Sequence, residues 1–185
     1  MYSAIELAYY LVYHANKTEQ DHKLKGFKID PLLFFVQGYS LAILDMPVFK
    51  DNIIKNSYGA LIKEVRDEFR KYGCLSVPDT HKIRYVTCCD KNNSRYYHLK
   101  TTNIASYVHD RLDDDTRILI EAVFKHYGCL PIPAINELIV NMDCYKYSKE
   151  IIDIELMKLD FKAKIKKAGK EDEYVLCQGN SLLSD

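Results

Sequence analysis

Asp30-Pro-Leu-Leu-Phe-Phe-Val-Gln-Gly-Tyr-Ser-Leu-Ala-Ile-Leu44 is the stretch on which the fold turns. From Leu32 to Leu44 almost every side chain is apolar. A helix greasy on all sides is wrapped by other elements rather than laid on a surface. Asp30 offers an N-cap, and Pro31 takes the first helical position, where its missing N–H costs nothing. Asp45-Met-Pro47 stops the run. Two residues interrupt it. Gly38 costs about 1 kcal/mol against alanine in a helix interior, which points to a close backbone approach. Gln37 needs hydrogen-bond partners there, because an unsatisfied buried amide costs about 1–3 kcal/mol. The expected class is mainly α (α+β): a compact multi-helix domain around a buried central helix, with one small β-hairpin.

Working outward, Ser3-Ala-Ile-Glu6 forms a capping box, with Tyr2 and Leu7 at the staple positions. Ile5, Ala8, Tyr9 and Val12 follow at helical spacing, and the polar residues 16–25 end that helix in a loop. Downstream, residues 60–72 read as a helix with Leu61, Val65, Phe69 and Tyr72 on one face and Gly73 as a left-handed C-cap. Residues 83–89 and 95–99 read as strands around a five-residue loop at 90–94. Further helices are expected from about Thr102, after the Asp113-Asp-Asp115 cap to about Tyr127, from Pro133 to about Met142, and from about Asp153 to Lys167. The helical unit spans 1–168, and 169–185 reads as a loosely held tail. The segment Phe69-Arg-Lys-Tyr-Gly-Cys-Leu-Ser-Val-Pro78 recurs as Phe124-Lys-His-Tyr-Gly-Cys-Leu-Pro-Ile-Pro133. Two copies do not make a solenoid, so the echo reads as shared helix punctuation.

Composition narrows the function classes. The 185 residues fit a single domain, and 48% hydrophobic with 28% charged residues excludes wholesale disorder. Lysine plus arginine number 26, as do aspartate plus glutamate, so no global charge favours nucleic acid. The lysine run from Lys162 to Lys170 is the only local candidate for it, and a solvated helix end is the simpler reading. No stretch reaches the ~20 apolar residues of a membrane span. The cysteines are too sparse for a secreted scaffold and form no C-x-x-C pair, which suggests reduced thiols in a cytoplasm. The glycines are too scattered for a phosphate-cradling loop, and the histidines lack metal-ligand spacing, so no cofactor and no metal is expected.

Three constellations have a chemical reading beside a plainer one. Cys88 or Cys89 with His98 is the thiol-hydrolase alternative, and a site of Cys, His or metal ligands assembled from remote residues belongs with it. Free cysteines in a strand are more often small apolar residues. Asp79 with Asp160 and Lys162 superficially matches a metal-dependent nuclease, yet Asp160 reads as helical. Asp113-Asp114-Asp115 suits a helix cap better than a divalent cation. The 15 tyrosines favour a protein partner, because tyrosine joins apolar area to a polar tip.

The order of segments adds a family resemblance. Tyr2-Ser-Ala-Ile-Glu-Leu-Ala8, then Lys28-Ile-Asp-Pro-Leu-Leu-Phe-Phe-Val-Gln-Gly-Tyr39, Leu41-Ala42, Pro47 and Phe49 resemble the Panacea domain. So do Tyr58-Gly-Ala-Leu-Ile-Lys-Glu-Val65, Phe69 to Gly73, Phe124 to Gly128 and Ile154-Glu-Leu-Met-Lys158. Ala60 stands where that family prefers proline, Asn56 where it often has tryptophan, Val140-Asn141 where it has Thr-His, and Pro31 where it has a helical lysine. The resemblance implies a non-enzymatic antitoxin of a bacterial or phage toxin–antitoxin pair. Such a protein neutralises a cognate toxin by direct binding, and some relatives deliver the toxin to a protease. The family-like segments supply Lys28, Gln37, Tyr39, Tyr58 and Arg66 as partner contacts. For Gln37 and Tyr39, core packing is an equal alternative.

Overall fold

The computed structural model describes residues 1–18, 24–91 and 94–179, with only the backbone described at 84–86, 88–91, 94–98, 105 and 169–179. Among these residues the chain is mainly α, with a small β part. The helices are α1 (Ala4–Lys17), α2 (Ile29–Ile43), α3 (Lys63–Phe69), α4 (Ile104–His109), α5 (Asp114–Tyr127), α6 (Ile132–Val140), α7 (Asp143–Tyr147) and α8 (Ile154–Gly179). Two antiparallel hairpins complete the fold: β1 (Ile53–Asn56) with β2 (Gly59–Ile62), and β3 (Lys82–Lys91) with β4 (Ser94–Asn103).

Helix α2 is the axis. Leu32, Leu33, Phe34, Phe35 and Val36 are fully buried, and burial continues through Leu41 except at the half-buried Tyr39, before Ile43 emerges at 60% exposure. Helices α1, α5 and α8 and strand β2 all pack on it. Aromatic rings carry much of that contact. Phe35 stacks on Tyr127 of α5 with centroids 4.0 Å apart, and Phe161 of α8 meets Phe35 and Tyr39 edge-on. Gly38 is where Phe161 presses in, since a Cβ built there would lie 2.2 Å from its ring.

The polar residues of α2 are fully used. Gln37 is 2% exposed; its amide donates to the Phe49 carbonyl at 3.1 Å and accepts from the Val48 and Phe49 N–H groups at 3.1 and 3.3 Å. It thereby pins the segment that follows the helix. Asp30 is not the expected N-cap. A short 3-10 turn, Gly26–Lys28, leads into α2, so Asp30 lies inside the first helical turn and is 1% exposed. Its carboxylate faces inward, accepting from the Ile62 N–H at 3.0 Å and pairing with Arg66 at 2.9 Å.

Other local signals hold. Ser3 and Glu6 make the capping box, and Asp113 caps α5 by accepting from the Thr116 N–H at 2.8 Å. Other expectations need correction. Residues 60–62 are strand β2 rather than helix, because Gly59 at φ 132° closes a hairpin that pairs Ile53 with Ile62. The fold therefore has two hairpins where one was expected. In the second, the strands run on to Lys91 and Ser94, well into the expected five-residue loop; Asn92 and Asn93 lie outside the described residues. Helix α7 follows α6 directly, its Cys144 N–H held by the Asp160 carboxylate at 2.6 Å. Helix α8 continues past Lys167 to Gly179. The repeated Tyr-Gly is not one shared device either, as Gly73 is left-handed at φ 50° while Gly128 stays helical at φ −62°.

Gly38→Ala is expected to destabilise the chain by about 1–3 kcal/mol through overpacking. The loss should shrink in a Phe161→Leu background, as read by urea unfolding in a double-mutant cycle. Equal losses in both backgrounds would show that the ring contact is not the cause. Gln37→Leu strands two N–H groups and a carbonyl and should cost at least about 2 kcal/mol.

Candidate functional site

The β1–β2 hairpin builds the first site. Asn56 caps its own turn by accepting from the Tyr58 N–H at 3.3 Å, and the Tyr145 hydroxyl donates to the Asn56 carbonyl. Residues 150–152 lie beside β1, with Lys55 N–H donating to the Glu150 carbonyl at 2.7 Å and Ile152 N–H to the Ile53 carbonyl at 2.8 Å. The tip is thus held from two sides. On it stands Tyr58, 82% exposed. Beneath lies a pocket of about 340 Å³ lined in part by Phe27, Tyr58, Gly59, Arg66, Ile132 and Asn136. Arg66 stacks its guanidinium 4.9 Å from the Phe27 ring centre. Its Nε–H is buried and has no acceptor among the described residues.

Burial pushes the Asp30 carboxyl up to about 6, against the pull of Arg66 and the Ile62 N–H. A raised acid binds its proton more tightly in the folded chain than in the unfolded one. This group therefore makes stability fall as pH rises from about 4 to 6.

A second concavity of about 830 Å³ lies where the end of α2 meets α5 and α8. Its walls include Ile43, Leu119, Val123 and Ile165. Its polar atoms converge: Lys164 Nζ donates to the Tyr127 hydroxyl at 3.1 Å, and that hydroxyl shares a 2.8 Å hydrogen bond with Tyr39. The ammonium also lies 5.1 and 5.4 Å from the ring centres of Phe35 and Tyr127. Burial alone holds Lys164 below the usual lysine range, while burial first and then the Tyr39 hydroxyl raise Tyr127.

The five expected contact residues are dispersed. Tyr58 and Arg66 share the hairpin pocket, and Tyr39 belongs to the second concavity. Lys28 and Gln37 are buried, and their polar atoms are used within the fold: Lys28 Nζ donates to the Gly128 carbonyl, and Gln37 holds the 48–49 backbone. Of the five, Tyr58 is exposed and Arg66 and Tyr39 are half-buried. Asn136 and Lys164 had no signal of their own in the sequence. One reads as a helical polar residue, the other as part of a lysine run.

Register sets Cys88 opposite Tyr97, Cys89 opposite Tyr96 and His98 opposite Thr87; the side chains of Cys88, Cys89 and His98 lie outside the described residues. Asp79 accepts from Asn103 at 2.9 Å, Asp160 holds the start of α7, and Lys162 pairs with Asp45 at 3.1 Å, so these three serve separate elements. Among the described residues, no cluster of three or more His, Cys, Asp or Glu could hold a metal, and no single helix is long and apolar enough to cross a membrane.

The chain belongs to the family described as antitoxin SocA-like, Panacea domain, whose model matches residues 32–146, more than half of its length. No curated protein and no solved structure matches it. Apart from Phe27, every lining residue of the hairpin pocket lies in the matched segment, Tyr58, Arg66 and Asn136 among them.

Arg66→Ala leaves the Asp30 carboxylate buried without its cation, and should cost about 3 kcal/mol at pH 7. The deficit should narrow at pH 5, where Asp30 takes up a proton. Chemical unfolding at the two pH values checks this, and a deficit independent of pH would dissociate Arg66 from Asp30.

Proposed function

We propose that this member of an antitoxin-type family neutralises a cognate protein toxin by binding it directly, with the tip of the β1–β2 hairpin as the contact surface. The observation that carries the reading is the family match over 32–146, the segment that holds this hairpin and most of its pocket. The physical case is consistent with it. Tyr58 is a large amphipathic side chain presented to solvent on a braced turn, the kind of anchor that dominates interface energetics. Arg66, part of whose side chain is exposed, adds a guanidinium at the pocket wall, and Asn136 adds an amide there. Such a surface blocks a toxin by covering it, and needs neither nucleophile nor cofactor.

In this reading the encounter takes place in the cytoplasm, where the free thiols of Cys74, Cys129 and Cys144 would stay reduced. Delivery of the bound toxin to a protease is an extension of the same role, in which the antitoxin keeps a second surface for the protease.

Co-expression with the product of the adjacent gene should restore growth and yield a complex on purification. Tyr58→Ala should weaken that complex by about 30-fold or more, the loss of a hot-spot anchor, with unfolding unchanged. No rescue and no complex would refute the antitoxin role. A complex indifferent to Tyr58→Ala would keep the role and move the surface elsewhere.

A further inference from the structure

We propose that the concavity between α2, α5 and α8 is a binding site for a small amphiphilic carboxylate: an aliphatic chain lying along the apolar walls, with its carboxylate on Lys164. The site shares no lining residue with the hairpin pocket, so the inference stands apart from the antitoxin reading.

Charge is the first argument. The described lining carries Lys125, His126 and Lys164 and no acidic residue. Of these, Lys164 is half-buried, and among the described residues its ammonium is met by a neutral hydroxyl and two ring faces. Its neighbours on α8 behave differently. Lys158 and Lys162 both pair with Asp45, at 2.8 and 3.1 Å, whereas no carboxylate among the described residues pairs with Lys164. A cation drawn out of water without an anion is complemented by a ligand that brings one.

Size and layout are the second argument. About 830 Å³ falls in the range of small-molecule sites, which are mostly apolar with a few converging polar groups. Here the polar groups converge at one place, the Lys164–Tyr127–Tyr39 chain, and Tyr127 is itself 2% exposed.

The test compares three probes of equal chain length on the full chain by isothermal titration calorimetry, with dodecanoate and dodecyltrimethylammonium below their micellar concentrations and dodecanol below its solubility limit. Dodecanoate should bind about tenfold or more tighter than the alcohol, and the cationic probe weakest. Lys164→Met keeps the stem over the rings and removes the charge; it should abolish the preference for carboxylate while leaving dodecanol binding in place. Ala122→Phe, which fills the groove, should abolish binding of all three, with circular dichroism confirming the fold. Equal affinities for the three head groups, a carboxylate preference that survives Lys164→Met, or no dodecanoate binding at millimolar concentration would each overturn the proposal.

Discussion

The architecture rests on satisfying the polar atoms of a helix that has no access to water. Helix α2 is buried from Ile29 to Gly38, and within that span Asp30 and Gln37 cannot be left unpaired. The fold meets the demand by bringing backbone to them. Asp30 draws in the end of β2 and the side chain of Arg66, and Gln37 draws back the chain at Val48 and Phe49. Each bond is directional, whereas the apolar faces of α2 alone would tolerate many arrangements. The position of the β1–β2 hairpin, and hence of Tyr58, follows from a carboxylate in the first turn of α2.

Much of this arrangement was legible in the sequence wherever the deciding physics is local. The capping box at Ser3 and Glu6 and the cap at Asp113 are short-range bonds with short-range signatures, and both are made. The all-round apolar run from Leu32 correctly marked the buried axis, with Gln37 as its polar exception and Gly38 as a close approach. Failures came where a distant partner decides. Ala60-Leu-Ile62 suits a helix or a strand equally, and pairing with Ile53-Ile54 settles it. Asp30 before a proline has every mark of a cap, yet Arg66 and the Ile62 N–H turn it inward. Helix α7 is five residues long and owes its start to Asp160, sixteen residues away.

The candidate sites divide in the same way. Tyr58 and Arg66 emerged from segments that resemble the Panacea domain, and their common pocket needed the hairpin before it could be seen. Tyr39 had no separate meaning until Tyr127 and Lys164, remote in the chain, came within reach of its hydroxyl. Lys164 is the clearest case. In a run of lysines nothing distinguishes it from Lys162 or Lys166, and only the geometry of α8 against Phe35 and Tyr127 withdraws its ammonium from solvent.

The contact between Gly38 and Phe161 bears on what counts as an autonomous unit. Residues 32–146 carry the family pattern, yet the aromatic wedge filling the notch over Gly38 comes from α8, beyond that segment. On another flank α1, which lies before it, contributes Leu7, Leu11 and Val12 to the same core. A fragment trimmed to the recognised pattern would leave a hollow along its own axis and bare two flanks of its most oily helix. The signature that defines kinship here is therefore smaller than the packed core it belongs to, because α1 and α8 both supply side chains that wrap α2.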